Sequence, residues 1–139
     1  ILNAIIEPSN LFKNGSKDFS IKGLVTKKSY IHMFSLFPYE DNHNYLCMTE
    51  YFDEFSTKPL TEIKFPPSGN IILKFPELLK QDTVVEYVLI IAIKDKLKIP
   101  CMSVSNNKKI INKEKLLEIL NNLDRQTWTK HMLTYKIIR

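Results

Sequence analysis

Between residues 84 and 93 the chain reads VVEYVLIIAI, and every position except Glu86 is hydrophobic. Val85, Tyr87, Leu89, Ile91 and Ile93 fall on one face of an extended strand. Val88, Ile90 and Ala92 fall on the other. A strand apolar on both faces sits at the centre of a sheet that is covered on both sides. Other stretches alternate in the same way. LNAIIE (2–7), FSIKGLVT (19–26), SYIHMFSLF (29–37), LTEIKF (60–65) and NIILKF (70–75) each predict a strand. In the last of these, Ile71, Leu73 and Phe75 share a face. CMSVS (101–105) and TWTKHMLTYKII (127–138) are candidates for further strands.

One segment has helical rather than strand spacing. In NKEKLLEILNNL, Leu116, Ile119, Leu120 and Leu123 form one stripe, Asn112 is placed to cap the start, and Glu114 suits the first turn. TEYFDEF (49–55) suits one or two helical turns, and FPELLKQ (75–81) one turn beginning at Pro76. The seven prolines fall mostly at the ends of short apolar runs, and the βαβ rhythm of a parallel sheet is missing. The pattern predicts one mainly β domain over 1–139. Its architecture is a two-sheet β-sandwich with one or two short helices, including a C-terminal helix near 113–123 that packs against an edge or one face.

Composition changes this picture little. The net charge is +5, but Lys supplies all of it except Arg125 and Arg139. Readers of nucleic acid favour Arg, whose fork fits phosphate and guanine. The charge is also segregated: residues 39–55 carry acids and no Lys or Arg, whereas 94–115 are rich in Lys. Two patches of opposite sign suit protein contacts, or simply two solvated faces. The aromatic residues from Phe34 to Phe55 coincide with the acidic segment, where phosphate would be repelled. They therefore read as core and protein interface rather than as a stacking platform. No apolar run reaches the roughly 20 residues of a helical membrane span. The opening ILNAIIEP reads as the start of a mature or trimmed segment.

Candidate chemistry is sparse. Cys47 and Cys101 lie far apart in sequence and form no CxxC; they are either two buried thiols or one disulfide of an oxidising compartment. His32 lies inside an alternating strand and reads as structural. His43 lies in the polar turn EDNHN, which lacks the Gly and terminal Glu of a calcium loop. Neither these two nor His131 has a His or Cys partner at metal-ligand spacing. Gly15, Gly23 and Gly69 are too scattered for a phosphate loop or a nucleophile elbow. One catalytic pattern remains. Asp53 followed by Glu62 and Lys64 on one strand resembles the acid and Glu-x-Lys set of metal-dependent nucleases, in which carboxylates hold Mg²⁺ and the Lys supports the attacking hydroxide. The same spacing arises on any solvent-facing strand of a Lys- and Glu-rich chain. No cofactor is expected.

Five features in order resemble the outer-membrane lipoproteins of type VI secretion systems, the TssJ/SciN family. They are the first strand with its extension LNAIIEPSNLF, the strand SYIHMFSL, the aromatic-acidic stretch TEYFDEF, the turn and strand FPPSGNIILKF, and the hydrophobic strand TVVEYVLIIAIKD. The resemblance spans about residues 1–96 and leaves the C-terminal third unmatched. It implies a transthyretin-like sandwich without enzymatic activity, in the periplasm and tethered to the outer membrane by a lipid anchor upstream of this chain. It implies binding to the periplasmic domain of an inner-membrane secretion protein through the loop after the first strand. Here that loop holds Asn10, Leu11, Phe12, Lys13, Asn14 and Gly15. Leu11 and Phe12 are the expected apolar anchors, unless the pair tucks back onto the sandwich. The stretch from Tyr39 to Phe55 is the next candidate surface.

Overall fold

The computed structural model describes residues 2–48, 56–57, 61–104 and 108–139. The doubly apolar run forms β8 (Thr83–Ile93), which lies between β4 (Ser29–Leu36) and β11 (Trp128–Ile138), antiparallel to both. On one side the sheet continues from β11 to β2 (Leu11–Lys13), which runs parallel to it. On the other it continues from β4 through β5 (Asn44–Cys47) and β10 (Lys109–Asn112) to β9 (Met102–Ser103). β6 (Ser56–Thr57) pairs with the start of β4. A second, antiparallel sheet has β3 (Ser20–Val25) between β1 (Leu2–Glu7) and β7 (Thr61–Phe65). The protein is a two-sheet β-sandwich with a C-terminal helix.

Both faces of the large sheet are covered, as β8 requires. On one face Ile31, Met33, Val88, Ile90, Leu133 and Ile137 pack against Ala4, Ile21, Val25, Ile63 and Phe65 of the small sheet. Gly23 lets the small sheet close up, because a Cβ there would stand 2.9 Å from the Ile63 side chain. On the opposite face Phe34, Leu89, Ile91, Ile93 and Trp128 pack beneath Leu116 and Leu120 of α1 (Lys113–Asn121) and beneath Ile99 and Ile111. The Asn112 side chain caps α1 by accepting from the Glu114 and Lys115 amides, a contact that contributes about 1 kcal/mol. Ile119 and Leu123 complete the expected stripe as partly buried residues. A disulfide joins Cys47 at the end of β5 to Cys101, ahead of β9, with Cα atoms 6.7 Å apart.

Two expectations need correction. Residues 70–75 are extended but form no strand of either sheet. Their alternation is real, since Leu73 and Phe75 are buried and Ile72 is exposed. Their backbone groups, however, bond to the β2–β3 connection: Leu73 N–H donates to Ser16 O, Gly15 N–H donates to Leu73 O, and the Asn14 side chain accepts from Phe75 N–H. Conversely, the connection expected to leave the sheet contains β2. Phe12 is a core residue there, because it sits on the inward face of a strand added to the sheet edge. The candidate strand at 101–105 shrinks to the exposed pair Met102–Ser103. The expected helical turns at 49–55 lie outside the described residues. At 76–79 the chain makes one turn, with Leu79 N–H donating to Pro76 O.

Candidate functional site

The small sheet does not reach the end of the sandwich where β8 begins. Its strands have five or six residues, against 11 in β8 and β11. At 3.3 Å per residue this is roughly 20 Å against 36 Å. Beyond Phe19 and Phe65, side chains from loops close the gap. They leave a cavity of about 300 Å³, bordered by Phe37 and Tyr39 after β4, by Ile71–Lys74, and by Glu86, Val88 and Tyr135 of the large sheet.

Glu86 is the buried charged member of this cavity wall, only 4% exposed. It is the single acid that interrupts the hydrophobic run of β8. Its Oε1 accepts from the Tyr135 hydroxyl at 2.5 Å, and its Oε2 accepts from the Tyr39 hydroxyl. Burial pushes the Glu86 carboxyl above the usual carboxylate range, and nearby Glu40 adds to this, while the two tyrosine hydrogen bonds oppose it. The same burial, with the carboxylate alongside, raises both tyrosines well above their ordinary range. Tyr135 is fixed from behind by the rings of Phe19, 4.8 Å away, and Phe12, 6.1 Å away. Phe37 stands 6.2 Å from Tyr39 at the mouth. Met48 completes the wall, its Sδ accepting from Ser35 Oγ.

The sequence-predicted binding loop borders the same end. Leu11 is half-exposed on β2, and Phe12 is buried, so the pair does not form a double anchor. Asn14 does not reach outward: its amide donates to Ile138 O and its side chain accepts from Phe75. Gly15 turns the chain at φ 88°, a left-handed conformation that favours glycine. Ser9 Oγ bonds to the Leu11 backbone in both directions. The loop is therefore a pinned surface element that presents Leu11 with Lys13, rather than a free arm.

Elsewhere the expected chemistry is dispersed. Glu62 alternates with buried Ile63 on β7, which puts it and Lys64 on the outer face of the small sheet. There Glu62 lies opposite Leu24, and Lys64 opposite Lys22. Asp53 lies outside the described residues. Among those described, no three His, Cys, Asp or Glu side chains are grouped to hold a metal ion. His32 is fully buried on the helix-facing side of β4. His43 lies in a turn organised by Asp41, whose carboxylate is held below its usual range by a hydrogen bond from the Asn44 side chain and by those from the His43 and Asn44 backbone N–H groups. At the far end of the sandwich, Lys27, Lys28, Lys94 and Lys96 border a polar groove of about 840 Å³ together with Asp95 and Asp124. There the Arg125 guanidinium lies over the Trp128 ring at 4.7 Å.

Compared with protein-family models, curated proteins and solved structures, the chain matches none. The class it belongs to is accordingly the one its own coordinates define, a β-sandwich with a helix over one face.

Proposed function

We propose that this chain is a non-enzymatic binding module of a bacterial secretion apparatus. In this reading it acts in the periplasm at the outer membrane and holds the periplasmic domain of an inner-membrane secretion protein. The observation that carries the reading is the β1–β3 connection, where half-exposed Leu11 is held on an ordered strand beside buried Phe12. An apolar side chain presented on fixed backbone loses little entropy when a partner covers it. The disulfide supports an oxidising compartment, since such bonds persist in the periplasm and are rare in the cytosol.

The test is site-specific photocrosslinking in producing cells, with the crosslinker placed at position 11 and, as a control, at the exposed position Leu117 on α1. The expected result is a crosslink from position 11 to the periplasmic part of an inner-membrane secretion protein, with none from position 117. Crosslinks from position 117 alone, or from neither position, reject the reading.

A further inference from the structure

Glu86 is a buried carboxyl held by two neutral donors. Among the described residues no cation pairs with it: the tyrosine hydroxyls supply hydrogen bonds but no charge, and Glu40, which acts on it electrostatically, is also negative. Lys74 borders the cavity from an exposed position at the mouth and makes no ion pair with Glu86. Apart from Ser35, whose hydroxyl donates to Met48, the rest of the lining is aromatic and apolar, with Phe37 and Tyr39 at the mouth and Phe19, Phe65 and Tyr135 further in. Aromatic rings attract cations through their negative faces, and the attraction strengthens where water is excluded. An anion would meet Glu86 and Glu40, and a neutral ligand would leave the carboxylate uncompensated.

We propose that this cavity is a binding site for an alkylammonium group, with Glu86 as its counter-charge and the surrounding aromatic rings as its walls. The volume of about 300 Å³ suits a small quaternary ammonium or the end of a lysine side chain. Both sources share the chemistry, a positive charge wrapped in methylene or methyl groups. Tyr39 and Tyr135 occupy one lone pair on each carboxylate oxygen, which fixes the group and leaves the remaining lone pairs for the ligand. The site does not depend on what the Leu11 surface holds, and the two are tested separately.

The test is NMR of protein carrying ¹³C-methyl methionine. The Met48 methyl reports on the cavity wall, and exposed Met102 serves as a distant control. The probes are choline and n-butylammonium, each paired with a neutral isostere, 3,3-dimethyl-1-butanol and 1-butanol. Saturable shifts at Met48 with either cation, absent at Met102 and absent with the alcohols, are expected. Tighter choline binding identifies a free quaternary ligand, and tighter butylammonium binding identifies a lysine side chain. Glu86→Gln is expected to weaken the cation by about tenfold or more, the loss of a desolvated charge contact. Phe37→Leu, which leaves Glu86 in place, keeps the test available if the Gln variant fails to fold, and it too is expected to weaken the cation. Equal binding of cation and alcohol, no binding of either, or undiminished cation binding in a folded Glu86→Gln protein overturns the proposal. Lys74→Ala is expected to leave cation binding intact or to tighten it, and loss of binding in that variant also overturns it.

Discussion

The two faces of β8 solve the same burial problem differently. Toward α1, the strand offers Leu89, Ile91 and Ile93 to a layer that is apolar apart from buried His32 and whose flank is stapled by the Cys47–Cys101 bond. Toward the small sheet it offers Val84, Glu86, Val88, Ile90 and Ala92, and this layer thins out around the one charged member. The helix side is covered over Leu89–Ile93 by α1 and Ile99, and the strand's earlier residues on that face, Val85 and Tyr87, are left partly exposed. The other side is closed by strands about half as long as β8, so that loops and two tyrosines must finish it. A carboxylate is tolerated where the covering layer runs short, and its neighbours are polar for the same reason.

The strongest test of this contrast moves the charge to the other face. Ile91→Asp puts a carboxylate in the helix-side layer at a fully buried position, where its cross-strand neighbours are His32 and Lys130 and the rest of the layer is apolar. It is expected to cost about 4 kcal/mol or more and to unfold the protein, as read by circular dichroism. A folded Ile91→Asp protein with a normal denaturant midpoint would show that the helix side is no drier than the Glu86 side. The next test separates two adjacent residues of β2. Phe12→Ala removes a ring packed on Phe19 and Tyr135 and is expected to cost about 3 kcal/mol in urea unfolding. Leu11→Ala, on the exposed side, is expected to stay within about 0.5 kcal/mol. Equal effects would place both residues in one layer.

The smallest expected effect sharpens the comparison through pH. Because the folded state raises the Glu86 pKa above its usual 4.5, the folded protein binds more protons than the unfolded chain over the window between the two values. The contribution of this group is fully present below pH 4.5 and is lost as pH rises through the folded pKa. Denaturant midpoints from pH 4 to 8 should fall by this amount in the wild type. Glu86→Gln should remove that part of the slope and be slightly more stable at pH 7. An unchanged slope in the variant would assign the titration to another group.

The parts of the fold that were legible in the sequence are those whose pattern is long and self-sufficient. β4 and β8 show sustained hydrophobic runs, β11 alternates over its C-terminal half, and α1 carries both its stripe and its cap within a dozen residues. β2, β5 and β10 are three or four residues each and owe their existence to a neighbouring strand, a dependence that no local pattern records. The segment 70–75 shows the converse. Its alternation correctly marked Leu73 and Phe75 as inward, but burial does not specify a hydrogen-bonding partner, and here the partner is the loop at 14–16. For the cavity, Glu86 stood out as the one acid in β8, a visible anomaly. Its two tyrosines lie 47 and 49 residues away; strand register brings Tyr135 opposite it, and the turn after β4 brings Tyr39.

The Cys47–Cys101 bond also makes a ring of the chain between these residues, and that ring contains β6, β7 and β8. A protease that cuts once inside it, for example at the exposed Pro67–Asn70 turn, opens the ring without dividing the molecule. The nicked protein keeps its central strand covalently attached on both sides of the break. It remains one covalent species until a reductant breaks the bond, whereas a cut before Cys47 or after Cys101 leaves a fragment held only by noncovalent contacts. The bond thus divides the chain into a ring that stays covalently whole after one nick and two flanking segments, carrying β4 and β11, whose attachment after a cut rests on sheet pairing and packing.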